Sequence, residues 1–174
     1  MSNAKKVKEL MVELTEYPHI PYWMTVREAI FLIRSTYDKA SGLGIHRMVL
    51  VFDERYQLLG VLTLRKLLTG IEPKFLRKDD RSPYQGLTDA DYAGLSALLE
   101  GTFSEGSKEE AKKPVSEVMM PIKTTVDMND SVAKAAFVMI QADVNLIPVM
   151  EGETVRGVLR MSDVFNELTE IVVE

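Results

Sequence analysis

Two short stretches of the sequence share one pattern but differ in charge where the pattern ends. "GVLRMSDVF" covers residues 157–165 and carries Ser162 and Asp163, whereas "GVLTLRKLL" at 60–68 carries Arg65 and Lys66 at the same positions. An ionised carboxylate can only accept hydrogen bonds, whereas an ammonium group can only donate them. The two stretches therefore predict chemically different sites.

A purely structural role would explain the same residues. The hydroxyl of Ser162 can cap the helix that is predicted to follow, and the charge of Asp163 favours the positive end of that helix. Both interpretations stay open on the local sequence alone.

The two stretches belong to a longer internal repeat. "VKELM" (7–11) matches "VSEVM" (115–119), "TVREAIFLI" (25–33) matches "SVAKAAFVM" (131–139), and "MVLVFD" (48–53) matches "LIPVME" (146–151). Apolar residues at helical spacing predict a helix in each copy, and two short β-branched runs around a polar turn predict paired strands. Each copy is therefore predicted to be helix, strand, strand, helix, which makes the fold class α+β.

Two copies would have to pack together to bury both faces of such small sheets. The predicted bounds are 5–71 for the first repeat and 114–174 for the second. Between them, 72–113 is a charged insert in which "LTDADYAGLSALLEG" (87–101) has the spacing of a short capped helix.

Composition excludes several classes of function. The 174 residues include 21 Lys and Arg against 26 Asp and Glu, and this net charge of −5 disfavours nucleic acid as a partner. The chain has no cysteine, no apolar leader and no run long enough to span a membrane. We expect a cytoplasmic protein without membrane insertion or a metal site. No set of residues specifies a catalytic reaction, so we expect no enzyme.

The order of these motifs, occurring twice, resembles a tandem pair of cystathionine-β-synthase-type domains, or CBS domains. The resemblance rests on the "V-x-E-apolar-M" entry of each copy, on Glu28-Ala29 and Lys134-Ala135 in the helices, on "LIPVM" and on "GVLRMSD". It implies two pseudo-symmetric repeats packed through their sheets. It also implies a regulatory module that binds adenosyl ligands in clefts between the repeats and that assembles as a homodimer.

The resemblance places the ribose of such a ligand at Asp163. Ser162 matches the ligand motif of the family, whereas Arg160 replaces its first hydroxyl. The residues expected to form this cleft are Asp163, Ser162, Arg160 and Val158, with Met24 and Ala29 beside the base and His46 and Arg47 near the phosphate. A solvated strand start is the alternative interpretation of His46 and Arg47.

The resemblance implies a second cleft with different chemistry. Lys66 stands where the ribose-binding carboxylate would be, so this cleft is expected to be degenerate, either empty or holding a different anion. Its expected residues are Val61, Thr63, Arg65 and Lys66, completed by Asp130, Val144 and Asn145.

The expected function is a free-standing regulatory module. It would bind AMP, ADP, ATP or a related adenosyl ligand, need no cofactor, and signal to a partner that the sequence does not identify. The alternative is a structural or dimerisation protein of the same fold that binds no ligand.

Overall fold

Two four-stranded sheets form the centre of the computed structural model, which describes residues 4–39, 48–73 and 104–173. The strands are β1 (Val12–Glu13), β2 (His19–Pro21), β3 (Met48–Phe52), β4 (Leu58–Thr63), β5 (Met120–Pro121), β6 (Val126–Asp127), β7 (Leu146–Glu151) and β8 (Thr154–Arg160). The helices are α1 (Val26–Lys39), α2 (Leu64–Gly70), α3 (104–110), α4 (Val132–Ala142) and α5 (Met161–Val173).

Each sheet takes three strands from one repeat and one from the other. The strand orders are β2-β3-β4-β5 and β1-β8-β7-β6. In the added pairs, Met120 of β5 lies opposite Val61 of β4, and Val12 of β1 lies opposite Val158 of β8. The two repeats therefore exchange the short segments that precede their first long helices.

The exchanged segments, which we call the entry segments (5–13 and 113–121), also complete the opposite hydrophobic cores. Val7 is fully buried among residues of the second repeat, and Val115 among residues of the first. Backbone hydrogen bonds hold both, from Val7 N to Asp130 O at 2.9 Å and from Val115 N to Met24 O at 2.8 Å. Neither core is complete without the other repeat.

Alternation along the strands separates the interior into layers. In β3, Leu50 faces the opposite sheet, whereas Val49 and Val51 face the helices. In β8, Val158 faces the opposite sheet and Leu159 the helices. Successive side chains of a β-strand point to opposite faces, so buried residues alternate between the two layers. The predicted α+β fold of two pseudo-symmetric repeats packed through their sheets is confirmed.

The helices begin where the sequence supplies caps. Thr25 and Glu28 form a reciprocal box at the start of α1, with Thr25 N donating to Glu28 at 2.7 Å and Glu28 N donating to Thr25 at 3.2 Å. The Glu28 carboxylate accepts hydrogen bonds from Thr25 N and from the Thr25 hydroxyl, and these two bonds lower its pKa. The hydroxyl of Ser131 caps α4 in the equivalent position.

The C-terminal end of the insert packs against the first repeat. Ala111 is buried, and its carbonyl accepts a hydrogen bond of 3.0 Å from Arg27 N at the start of α1. The predicted helix at 87–101 lies outside the described residues, and the repeat bounds stay a prediction.

Within the described ranges, no helix combines the length and apolarity needed to cross a membrane.

Candidate functional site

A cavity of about 90 Å³ lies between the two repeats. We call it the open cleft. The first repeat contributes Val61 and Thr63, and the second contributes Val144 and Asn145. The stretches 120–124 and 143–146 form most of its remaining wall. Seven residues were predicted for the second, degenerate cleft, and the structure brings four of them together around this cavity.

The other three of those residues do not line the open cleft. Arg65 and Lys66 are exposed on α2, and Lys66 lines a separate polar groove together with Lys113 and Glu117. Asp130 forms an ion pair of 2.7 Å with Lys134, and this hydrogen bond is the main cause that lowers its pKa. The open cleft therefore contains neither the predicted cations nor a carboxylate at the ribose position.

Thr63 connects the open cleft to the start of α2. It is the last residue of β4, and its hydroxyl oxygen accepts a hydrogen bond of 3.1 Å from Lys66 N. The polar groups around the otherwise apolar cavity are Thr63, Lys123, Thr124, Asp143 and Asn145. Such a wall can orient a small, largely apolar ligand through a few hydrogen bonds.

Asp163 stands in the second repeat at the position that Lys66 occupies in the first, and it lies in the first turn of α5. Its carboxylate accepts two hydrogen bonds from Arg160, from Nε at 2.6 Å and from Nη2 at 2.8 Å. Both side chains are about three-quarters buried. The bonds to Asp163 are the main cause that raises the pKa of the Arg160 guanidinium.

Tyr17 lies next to this ion pair and was not predicted as a site residue. It is 3% exposed and belongs to the buried cluster between the sheets that includes Val158. Burial raises its pKa to about 12, an effect that the charge of Arg160 opposes and that of Asp163 supports. We call the region formed by Tyr17, Val158, Arg160 and Asp163 the Asp163 cleft.

The position of Tyr17 follows from a difference in length between the two copies. Val12 and Met120 occupy equivalent strand positions, as do Ile20 and Val126. The first copy has eight steps between its pair of positions and the second has six. The longer connection forms a 3₁₀ turn at Leu14–Glu16, and Tyr17 follows it. Aligning the two copies closely would have revealed this extra length.

The remaining residues predicted for the Asp163 cleft are dispersed. Ser162 is exposed on α5. Ala29 lies on the buried face of α1 and has no exposed surface, and Met24 packs half-buried against the same cluster of the first repeat. His46 and Arg47 lie outside the described residues. The structure therefore joins Asp163 with Arg160 and Val158, but it buries Val158 and Ala29 away from solvent.

Comparison with known proteins identifies the repeat. Residues 115–170 match the family model of the CBS domain. No curated protein matches the sequence. Among solved structures, a CBS domain-containing protein of unknown function from Kribbella flavida DSM 17836 is similar, with a TM-score of 0.66 at 15% identity over 95% of this chain and 98% of that one.

Two further structures are similar over nearly the whole chain. The CBS domain of a CBS domain containing membrane protein from Sphaerobacter thermophilus has a TM-score of 0.64 at 17% identity, covering 94% of this chain and 87% of that one. CBSX2 in complex with AMP has a TM-score of 0.59 at 17% identity, covering 95% and 97%. The second repeat thus matches the CBS domain model, and the whole chain has the fold of a tandem CBS pair.

Proposed function

We propose that this protein is a regulatory module that binds an adenosine-containing ligand between its two CBS repeats. The observation that carries the proposal is the position of Asp163, a partly exposed carboxylate at a strand-to-helix junction beside the opposite sheet. Two carboxylate oxygens can accept both hydroxyls of a ribose. The similar fold of CBSX2, which was solved with AMP, supports this choice of ligand.

Binding between two repeats offers a way to signal. A ligand that contacts both repeats shifts their arrangement by the difference between its affinities for the two arrangements. At the Asp163 cleft, Val158 is fully buried and the side chains of Arg160 and Asp163 are about three-quarters buried. A nucleoside would therefore have to widen the space between the repeats there, and that movement would be available to an unidentified partner protein.

Calorimetric titration of AMP and of its 2′,3′-dideoxy analogue tests the proposal. We expect the parent protein to prefer AMP by about tenfold or more, because charge-assisted hydrogen bonds contribute about 1.5–3 kcal/mol. Asp163→Ala should bring this ratio close to one, whereas the control Lys66→Ala should keep it. An unchanged preference for AMP in Asp163→Ala would show that Asp163 does not bind the ribose.

One observation favours a second candidate, a structural CBS pair that binds no ligand. Arg160 uses both oxygens of Asp163, and Tyr17 is buried beside them. This protein would keep the fold for assembly alone. Absence of binding of AMP, ADP, ATP and adenosine at millimolar concentration would favour this candidate.

We also infer that the protein assembles as a homodimer through its helices. Phe31 of α1 and Phe137 of α4 stand at equivalent positions of the two repeats, and they are 76% and 64% exposed. Leu68 and Phe165 are likewise exposed at equivalent positions of α2 and α5. Within the described residues, α1, α2, α4 and α5 each present a large apolar side chain to solvent, as an unpaired interface would.

A further inference from the structure

The two clefts differ in what packs against the equivalent valines Val61 and Val158. Val61 of β4 lines the open cleft, where about 90 Å³ of space lies between the repeats. Val158 of β8 has no exposed surface, and it belongs to the same buried cluster between the sheets as Tyr17. Protein interiors are packed closely, with few gaps larger than a water molecule. The side chain of Tyr17 therefore fills, in the Asp163 cleft, the kind of space that stays open in the other cleft.

The hydroxyl end of the Tyr17 ring lies toward Arg160 and Asp163. Burial is the main cause that raises the pKa of this phenol to about 12, and the charges of Arg160 and Asp163 act on it as well. Charges shift a pKa in this way from nearby positions. A ligand that is bound by Asp163 and reaches the opposite sheet would have to pass through the position of the ring.

Tyr17 is the buried part of a short connection between β1 and β2, residues 14–18. Thr15 and Glu16 are exposed, whereas Tyr17 is 3% exposed. Tyr17 N donates a hydrogen bond of 3.2 Å to Leu14 O. This bond belongs to the turn and to neither sheet, so the connection can move while β1 stays paired with β8 and β2 with β3.

We propose, on the basis of the function proposed above, that Tyr17 is an autoinhibitory plug of the Asp163 cleft. In this structure its ring occupies the space that a nucleoside bound by Asp163 would take. Binding requires the connection to carry Tyr17 outward, and ligand affinity is lowered by the small fraction of molecules in which this has happened. Because the connection joins the two sheets, its movement is also a direct way for the ligand to change the arrangement of the repeats.

Calorimetric titration of AMP into variants of Tyr17 tests the plug. Tyr17→Ala removes the ring, so we expect it to bind AMP about tenfold more tightly than the parent does. Tyr17→Phe keeps the ring and is the matched control, which should bind AMP as weakly as the parent. Ile33→Ala removes a buried side chain from the helix-facing core of the first repeat, and it controls for a general loss of stability. Equal affinities of Tyr17→Ala and the parent would overturn the plug and leave the proposed function standing.

A second measurement uses only the parent protein, in case Tyr17→Ala is poorly folded. Hydrogen exchange at the backbone amide of Tyr17 should become faster when AMP is bound, because the turn that holds this amide opens as the plug moves out. Exchange in β8 is the internal control and should not become faster. Slower exchange across residues 14–18 in the presence of AMP would mean that the site is already open, and it would overturn the plug. If AMP and adenosine at millimolar concentration bind neither the parent nor Tyr17→Ala, both this inference and the proposed function are wrong.

Discussion

Asp163 and Lys66 show how one substitution changes the chemistry of an equivalent position. In the second repeat the carboxylate turns inward to Arg160, its neighbour across one turn. In the first repeat the lysine turns away from the open cleft toward a groove shared with Lys113 and Glu117. The open cleft therefore lacks a carboxylate at the position equivalent to Asp163, and in the Asp163 cleft that carboxylate is held in an ion pair.

Tyr17 should make stability depend on alkaline pH. Its pKa is about 12 in the folded protein and about 10 in the unfolded chain. As pH rises past 10 the unfolded chain ionises first, so the stability present below pH 10 is lost as pH approaches 12, by up to about 2–3 kcal/mol. Urea unfolding of the parent and of Tyr17→Phe should show a smaller loss for the variant. An identical loss in both proteins would contradict this assignment.

At the scale of elements, two glycines allow the exchanged strands to approach. A Cβ at Gly157 would overlap the carbonyl oxygen of Val12 in β1, and one at Gly60 would lie 2.5 Å from the carbonyl oxygen of Met120 in β5. The two glycines are equivalent in the repeats. They therefore serve the same purpose, which is close backbone contact with a strand of the other repeat.

Gly157→Ala should accordingly destabilise the protein by about 1–3 kcal/mol, because backbone atoms cannot move aside as a flexible side chain can. Gly152→Asn is the control, since Gly152 has a φ of 61° but no atom near its missing Cβ, and Asn tolerates that backbone conformation. Chemical denaturation of both variants measures the difference. Equal stability of Gly157→Ala and the parent would show that β1 is not held against β8.

The elements were predictable from sequence where a pattern determines them locally. Helical spacing predicted α1 and α4, and the apolar runs predicted β3, β4, β7 and β8, all of which the structure contains. The exchange of entry segments was not predictable, because "VKELM" and "VSEVM" are so alike that neither indicates which repeat it packs against. At the site, the contrast of Asp163 with Lys66 was visible in the sequence. The pairing of Asp163 with Arg160 and the burial of Tyr17 depend on tertiary contacts.

At the scale of the whole molecule, the exchanged segments should make the two repeats unfold together. Val7→Ala removes two methyl groups from the core of the second repeat, at a cost of about 1–3 kcal/mol. The fluorescence of Trp23, in the first repeat, should nevertheless report the same lowered midpoint as circular dichroism of the whole chain. Val172→Ala, at an exposed position, is the control. Two separate transitions would contradict this coupling.

The proposed dimer depends on the exposed helix faces. Phe137→Glu should reduce association, because it places a charge in an apolar contact, and sedimentation at tens of micromolar protein should then detect a monomer. Arg55→Glu, in the exposed turn between β3 and β4, introduces the same side chain elsewhere and should leave the parent assembly unchanged. A parent protein that sediments as a monomer would contradict the dimer itself.

The exchange of entry segments also constrains the order in which the protein can fold as it is synthesised. Domains usually begin to fold from the end that leaves the ribosome first. Here β2, β3 and β4 emerge before Val115 and β5, which close their core and their sheet edge. The first repeat must therefore wait, with apolar surface uncovered, until the insert has been translated. A nascent chain stalled within the insert would accordingly be a substrate for chaperones, whereas one extended past β5 would not.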